Sequence, residues 1–382
     1  MNKLKVFQVI NDPGRNSAVD VFRGLAIIAV VIYHFNHRLP FGFLGVDLFF
    51  VVSGLLVGGL LTKQYKAGKP ISFPKFVLQR GFKIWPSYYA FIFLGTLVAI
   101  LFYRGVDDRQ IIPLWDMPRY LFFYQNYTGQ PLHRSFDHVW SVCVEEHFYI
   151  LLPIMFLVVQ HFIPQRLKMR SLYFFVISTI LAGIVFKFIS YYFTESQATF
   201  AGTHNRLDAL AWGVLLNLLI NWHGERIRTF AYKIPVFLAG LFIFVAALLV
   251  YIFSDNVVFQ KVYFHSITPF CFFLMLLSTY YMNLYRLKAI RFVAYYSYNW
   301  YLWHPLFVMF LTRVWGDSIP ALILYVVITF AVAMLATILI EEPVLGARKR
   351  VLDRLFPPPP KPAPQPQPVL QKKGATLDAL GK

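Results

Sequence analysis

Charge is scarce in this sequence: only 14% of its 382 residues are Asp, Glu, Lys or Arg, where a soluble domain carries roughly a quarter. Too few charges remain to solvate a globular surface, which excludes a water-soluble enzyme. Acidic residues are the scarcer kind, 18 against 36 Lys and Arg, for a formal net charge of +18. Cysteine is nearly missing. Cys143 and Cys271 both lie in apolar runs without metal-ligand spacing, so they read as lone buried thiols, with no disulfide framework and no metal site. Residues 1–17 hold Lys3, Lys5 and Arg15 but neither an apolar signal core nor a cleavage site. No internal repeat of convincing strength is present, which disfavours the inverted-repeat transporter architectures.

Apolar and aromatic residues fill the chain instead. It is 58% hydrophobic, with 40 Phe, 23 Tyr and 8 Trp, more than one core could bury. Runs long enough to cross a bilayer, about 17–25 residues, occur near 18–36, 41–61, 84–103, 139–160, 171–193, 207–221, 234–253, 267–282, 293–312 and 320–340. The run 120–127 is too short to span and is placed at the interface or in a re-entrant turn. The expected fold is an all-α integral membrane protein of about ten transmembrane helices. With a cytoplasmic N-terminus, the first inner loop, 62–83, carries Lys63, Lys66, Lys69, Lys75, Arg80 and Lys83 and no acid. The inner loops 161–170, 222–233 and 283–292 are also basic, whereas the outer linkers 104–117 and 254–266 mix signs. This alternation satisfies the positive-inside rule with both termini cytoplasmic. Basic clusters set between apolar runs point to the lipid bilayer as partner rather than to nucleic acid.

Three segments follow: a cytoplasmic N-terminal stretch (1–17), a transmembrane domain (18–346) and a tail (347–382). After about residue 356 the tail reads PPPPKPAPQPQP. It has little to bury and is expected to be disordered or polyproline-II in the cytoplasm.

An ionisable side chain inside a span costs at least a few kcal/mol, so each one marks either a packing device or a function. The first span, VFRGLAIIAVVIYHF, places Arg23 near its inner end and His34 near its outer end. Eleven residues advance a helix by about 16 Å and three turns, so the two share a face. Arg23 is readable equally as a snorkelling interfacial cation, and His34 as a hydrogen-bonded interior histidine. Asp47 lies in GFLGVDLFFVVSG with Ser53 near mid-membrane; an unpaired carboxylate there would protonate or draw in water, so Asp47 must face a polar interior. Ser141 and Glu145, in WSVCVEEHFY, are four apart on one face. Arg206 and Asp208 open the sixth span at its outer rim, as a structural ion pair or as acceptor contacts. His304 lies in SYNWYLWHPL, where Pro305 can open the helix. By depth, His34, Asp47, Glu145, Arg206 and Asp208 gather toward the outer half, and Arg23, Arg80 and Lys83 at the inner mouth. The first group suits acid–base chemistry on a hydroxyl, with His as the base. The second suits a polyanion.

On these strings the chain resembles the membrane acyltransferase-3 family of bacterial integral-membrane O-acyltransferases. The likeness covers nearly all of 17–346. It rests on Arg23 and His34 with ten residues between them, GVDLFFVVSG, the basic string before IWP, WSVCVEEHFY, YNWYLWHP and a closing EEP at 341–343, all in family order. The resemblance makes Arg23 and His34 the essential first-span pair, and Ser141 and Glu145 the Ser-x-x-x-Glu. Arg80 and Lys83 stand at the inner-loop Arg-x-x-Arg, where Lys83 departs from the pattern and loses the bidentate fork. Some members carry a fused extracytoplasmic esterase-like domain; this chain is expected to be the stand-alone form.

The expected activity is transfer of an acyl group, most simply acetyl, from cytoplasmic acyl-CoA to a hydroxyl of a saccharide or glycolipid outside the bacterial inner membrane. His34 is the expected general base, with Glu145, Asp47 and Ser141 completing the catalytic group. Arg23, Arg80 and Lys83 are expected to hold the donor's phosphates, and Arg206, Asp208 and His304 to contact the acceptor. A proton-coupled carrier using the same buried groups is the rival reading, and a non-catalytic scaffold docking through the Pro-rich tail a third. Topology is testable directly. In a background free of Cys143 and Cys271, impermeant thiol reagent applied to spheroplasts should label Asp108→Cys and not Lys66→Cys, Lys168→Cys or Arg228→Cys. Labelling at 168 and 228 would make 120–127 a span and invert everything after it.

Overall fold

The computed structural model describes residues 12, 14–127, 133–193, 198–229 and 233–357, and all regular structure among them is helical. The long elements are α1 (Ser17–His34), α2 (Leu44–Lys66), α3 (Phe73–Tyr103), α4 (Trp140–Phe162), α5 (Lys168–Phe193) and α6 (Leu207–Arg228). They continue as α7 (Lys233–Phe253), α8 (Phe264–Thr279), α9 (Lys288–Trp303), α10 (Val308–Trp315), α11 (Ile319–Ala336) and α12 (Glu342–Leu355). Local chemistry sets their starts. Asn16 accepts from the Val19 N–H and caps α1, and Ser318 accepts from Ala321 to cap α11. Pro stands in the first turn of both α3 and α11, where its missing N–H costs nothing.

Among the described residues, eight helices are long and apolar enough to cross a membrane, rather than the ten expected. The two remaining runs are helical but differ in kind. α6 is long enough but too polar, carrying Asn217, Asn221 and His223 along its length. The ninth run is broken: α9 stops at Trp303, His304–Phe307 form a 3-10 turn around Pro305, and α10 resumes at Val308. Residues 120–127 form no span; they hold the end of a five-residue helix, Met117–Leu121, and a 3-10 turn at Gln125–Tyr127. The nearby side chains of Leu114, Trp115 and Phe122 are exposed, as suits an interfacial position. α12 carries regular structure through the first nine residues of the segment expected as a tail, and the Pro-rich stretch from 358 lies outside the described residues.

Lipid-facing and interior helices separate by burial. α7 buries only Gly240 and Ala247, and it exposes Phe242 and Phe253 almost fully. Such large apolar patches are rare on a soluble protein and are the normal exterior of a bilayer-spanning one. The interior is built on α1, α2, α6 and α9, with α3, α11 and α12 on one side and α5, α7 and α8 on the other. The most extensive pairing is α2 against α6. It is possible because Gly54 and Gly213 face each other's backbones: a Cβ on Gly54 would collide with the Leu210 carbonyl, and one on Gly213 with that of Val51. Gly54→Leu must therefore separate the two central helices. We expect a stability loss of at least about 1–3 kcal/mol, read as a lower unfolding temperature in detergent.

Candidate active site

The buried polar residues fall into three groups. The first lines a cavity of about 170 Å³ between α1, α2, α3, α4 and α9, whose walls include Arg23, Ser53, Arg80, Lys83, Ser141, Glu145, Tyr149, Ser297 and Tyr301. A water needs only about 10–15 Å³, so this space admits a narrow chain. Arg80 packs over the Tyr149 ring at 4.5 Å and donates to its hydroxyl at 3.0 Å. Tyr149 in turn donates to Glu145 Oε2 at 2.7 Å, and Ser53 lies 2.6 Å from the same hydroxyl. Arg23 donates to Ser297 Oγ at 2.9 Å. Among the described residues no carboxylate forms an ion pair with Arg23 or Arg80, and Arg80 Nε is buried without a partner. Both guanidiniums are therefore available to an anion.

Lys83 differs, because it forms an ion pair with Glu341. Glu341 ends a π-helical turn, Thr337–Glu341, and its other oxygen accepts from Asn299 at 2.8 Å. The Lys83 charge is thus already neutralised inside the protein, unlike those of Arg23 and Arg80. Neighbouring Glu146 does not join the cavity, since its Oε2 accepts from Trp85 at 3.1 Å.

The second group is a set of three imidazoles. The His34 Nδ1 donates to Val30 O at 2.9 Å, one turn back along α1. His304 Nδ1 donates to Tyr301 O at 2.8 Å and Trp300 O at 3.0 Å. Tyr301 O would be the partner of residue 305, but a proline has no N–H to give. His138 Nε2 donates to Leu302 O at 3.1 Å in the same broken turn. Ring centroids lie 4.8 Å apart for His34 and His304, 5.4 Å for His138 and His304, and 6.4 Å for His34 and His138. Among the described residues no three His, Cys, Asp or Glu side chains converge as metal ligands would. Between this group and the cavity stand Ser141 and Tyr301, 2.7 Å apart, which both bond the His138 carbonyl.

The third group corrects part of the sequence reading. Asp47 does not stand beside His34. It accepts from Arg206 Nη1 at 3.0 Å and faces His265 Nδ1 at 3.6 Å. Arg206, expected at an outer rim, is only 2% exposed; it stacks on Phe200 at 3.7 Å and donates to the Phe200 carbonyl. Asp208, 1% exposed, pairs with Lys187, which also bonds His265 O and Ser266. These charges tie α2, α5, α6 and α8 together away from the cavity, so Asp47, Arg206 and Asp208 take structural positions in this geometry. Glu145 likewise sits with Arg80 and not with His34. His304, expected as an acceptor contact, is fully buried.

Sequence reasoning passed over Lys187, His138, Tyr149 and Glu341 as site candidates. Lys187 carried a usable signal, a lone cation in the apolar run 171–193. His138 and Tyr149 carried none, because a His beside a helix start and a Tyr in an aromatic-rich helix are ordinary there.

A many-helix membrane protein in which an arginine-lined internal cavity abuts a histidine cluster belongs to the class of membrane transferases or carriers. Residues 16–341 match the sequence model of the acyltransferase-3 family, described as an acyltransferase domain, and the chain belongs to this family. It is 28% identical over 368 residues to a Staphylococcus aureus (strain MSSA476) protein named "Putative O-acetyltransferase SAS0844", covering 90% of this chain and 59% of the relative. It is 26% identical over 348 residues to the O-acetyltransferase OatA of Staphylococcus aureus (strain NCTC 8325 / PS 47), covering 85% of this chain and 56% of that protein. The chain thus spans less than two thirds of the length of these relatives. No solved structure matches it significantly.

The charge network generates a stability prediction. Arg206→Ala strands a buried Asp47 carboxylate and should cost about 3–5 kcal/mol. Asp47→Ala with Arg206→Ala should lose less than the two single losses summed. Thermal unfolding in detergent measures both; additive losses would mean that the two side chains do not interact.

Proposed function

We propose that the chain is an O-acyltransferase of the bacterial inner membrane. It transfers acetyl from cytoplasmic acetyl-CoA to a hydroxyl of a saccharide or glycolipid on the outer side. The observation that carries this reading is the single cavity running from Arg23 and Arg80 to Ser141 and Tyr301, with the histidines directly behind. The family and the names of its relatives agree with acyl transfer. In this reading Arg23 and Arg80 bind the donor's phosphates, and the narrow pantetheine arm follows the cavity to Ser141 and Tyr301. Glu145 acts through Tyr149, fixing the hydroxyl that holds Arg80 in place. His34, bonded at Nδ1 and carrying its lone pair on Nε2, takes the proton of the acceptor hydroxyl. Asp47 and Asp208, two of the carboxylates a carrier could use to exchange protons, are each engaged by a cation.

Two measurements test the proposal. His34→Ala should lower acetyl transfer by about 10²–10⁴-fold while insertion and unfolding temperature stay near those of the parent. Arg80→Ala should raise the KM for acetyl-CoA by about ten- to a hundredfold, the value of a hydrogen bond to a charged group. Lys83→Ala should raise it less, because Lys83 is already paired with Glu341. Equal coenzyme A binding by Arg80→Ala and parent would place the donor elsewhere. Mass spectrometry of surface glycans with and without the gene should show loss of an acetyl mass.

A further inference from the structure

Two buried nitrogens beside His34 have no partner among the described residues: His304 Nε2 and His138 Nδ1. Each belongs to a ring whose other nitrogen must donate, because it faces a carbonyl oxygen: Tyr301 O and Trp300 O for His304, and Leu302 O for His138. The bare nitrogens are therefore lone-pair acceptors, locked in that state by the backbone. An acceptor buried without a donor costs roughly 1–3 kcal/mol, so two of them beside a third imidazole call for an explanation. A metal does not supply it, since no such ligand set converges here among the described residues.

A base that accepts a proton becomes an imidazolium, and hydrolases commonly stabilise that charge with a carboxylate on the ring. His34 lacks one among the described residues: Asp47 is bound to Arg206, and Glu145 accepts from Tyr149. What lies against His34 instead is the His304 ring, edge to face at 4.8 Å, with His138 at 6.4 Å.

We propose that His304 and His138 are positioning residues whose neutral rings, each held with one bare lone pair, stabilise protonated His34 electrostatically in place of the missing carboxylate. The inference rests on the acyl-transfer reading above. In that reaction the acceptor oxygen bonds the acyl carbon as the thioester C–S bond breaks, and the electron pair leaves on sulfur. The hydroxyl proton passes to His34 Nε2 and from there to the thiolate, yielding ester and free thiol. While His34 is charged, its Nε2–H stays directed at the reacting atoms, and the two neutral rings lie beside the positive charge, 4.8 and 6.4 Å away between centroids, each with an unpaired lone pair. This attraction exists only in the charged state, so it favours kcat rather than KM.

The test deletes the bare nitrogen and keeps the backbone bond. His304→Asn retains a donor near Nδ1 for Tyr301 O and loses the acceptor at Nε2. His138→Gln retains a donor near Nε2 for Leu302 O and loses the acceptor at Nδ1. Purified protein is assayed with acetyl-CoA and water as surrogate acceptor, reading coenzyme A thiol release. Each variant should lower kcat about tenfold or more, with KM for acetyl-CoA and unfolding temperature unchanged. Parent-like kcat in both variants, with His34→Ala inactive, overturns this inference alone. Full activity in His34→Ala overturns the acyl-transfer role of His34 beneath it. If His304→Asn fails to insert, His138→Gln decides by the same readout.

Discussion

Pro305 removes one backbone donor in the middle of the bundle, and the organisation of the reactive region follows from that loss. Without its N–H, the helix from Lys288 cannot continue, and the Tyr301 carbonyl loses the donor an unbroken helix would supply. Inside a membrane protein an unpaired carbonyl is costly, so side chains must supply the missing donors. His304 and His138 do so and are fixed in one tautomer by doing it, while Tyr103 caps Leu306 at 2.6 Å. The repair of a broken helix is thus also what leaves two imidazole lone pairs beside His34.

The same demand for pairing sorts the charges. Asp47 and Arg206 lie in α2 and at the start of α6, the two helices brought closest by Gly54 and Gly213. Both side chains are buried there, and each charge finds the other. Lys187 and Asp208 repeat the arrangement one layer out. Arg23 and Arg80 are the exceptions, held by a serine and a tyrosine rather than by carboxylates. Positive charge not held in a direct ion pair attracts an anion strongly in a low-dielectric cavity. This contrast between ion-paired charges and guanidiniums held by hydroxyls separates the scaffold from the cavity more cleanly than depth in the membrane does.

In the proposed reaction, donor and acceptor must meet across a bilayer. Ser141 and Tyr301 form a thin partition, two hydroxyls and one carbonyl, between the cation-lined cavity and the histidines. The cavity reaches the partition from one side, and His34 stands on the other. An acyl group would have only this layer to pass, which is a shorter task than crossing the whole membrane.

Much of this was written in the amino-acid order. Apolar run length determined the helices, because a helix must satisfy its own backbone in lipid. The placement of Arg23, His34, Arg80, Ser141 and Glu145 in recognisable strings identified the family, and all of these but His34 line the cavity. Periodicity within one helix also showed correctly that Ser141 and Glu145 share a face, since both line the cavity. What the sequence could not decide was which helices meet. Grouping residues by depth put Asp47 and Glu145 with His34, but depth says nothing of direction around the bundle. Asp47 turns toward α6 and Glu145 toward α3. Lys83 reads as a free cation until the π-turn at Thr337–Glu341, more than 250 residues away, brings Glu341 to it. His138 and His304 become significant only when the break at Pro305 brings their rings together. Local order fixes which segments are helices and which residues share a face. Partners between helices are settled only by packing, because each buried charge pairs with whatever the fold places beside it.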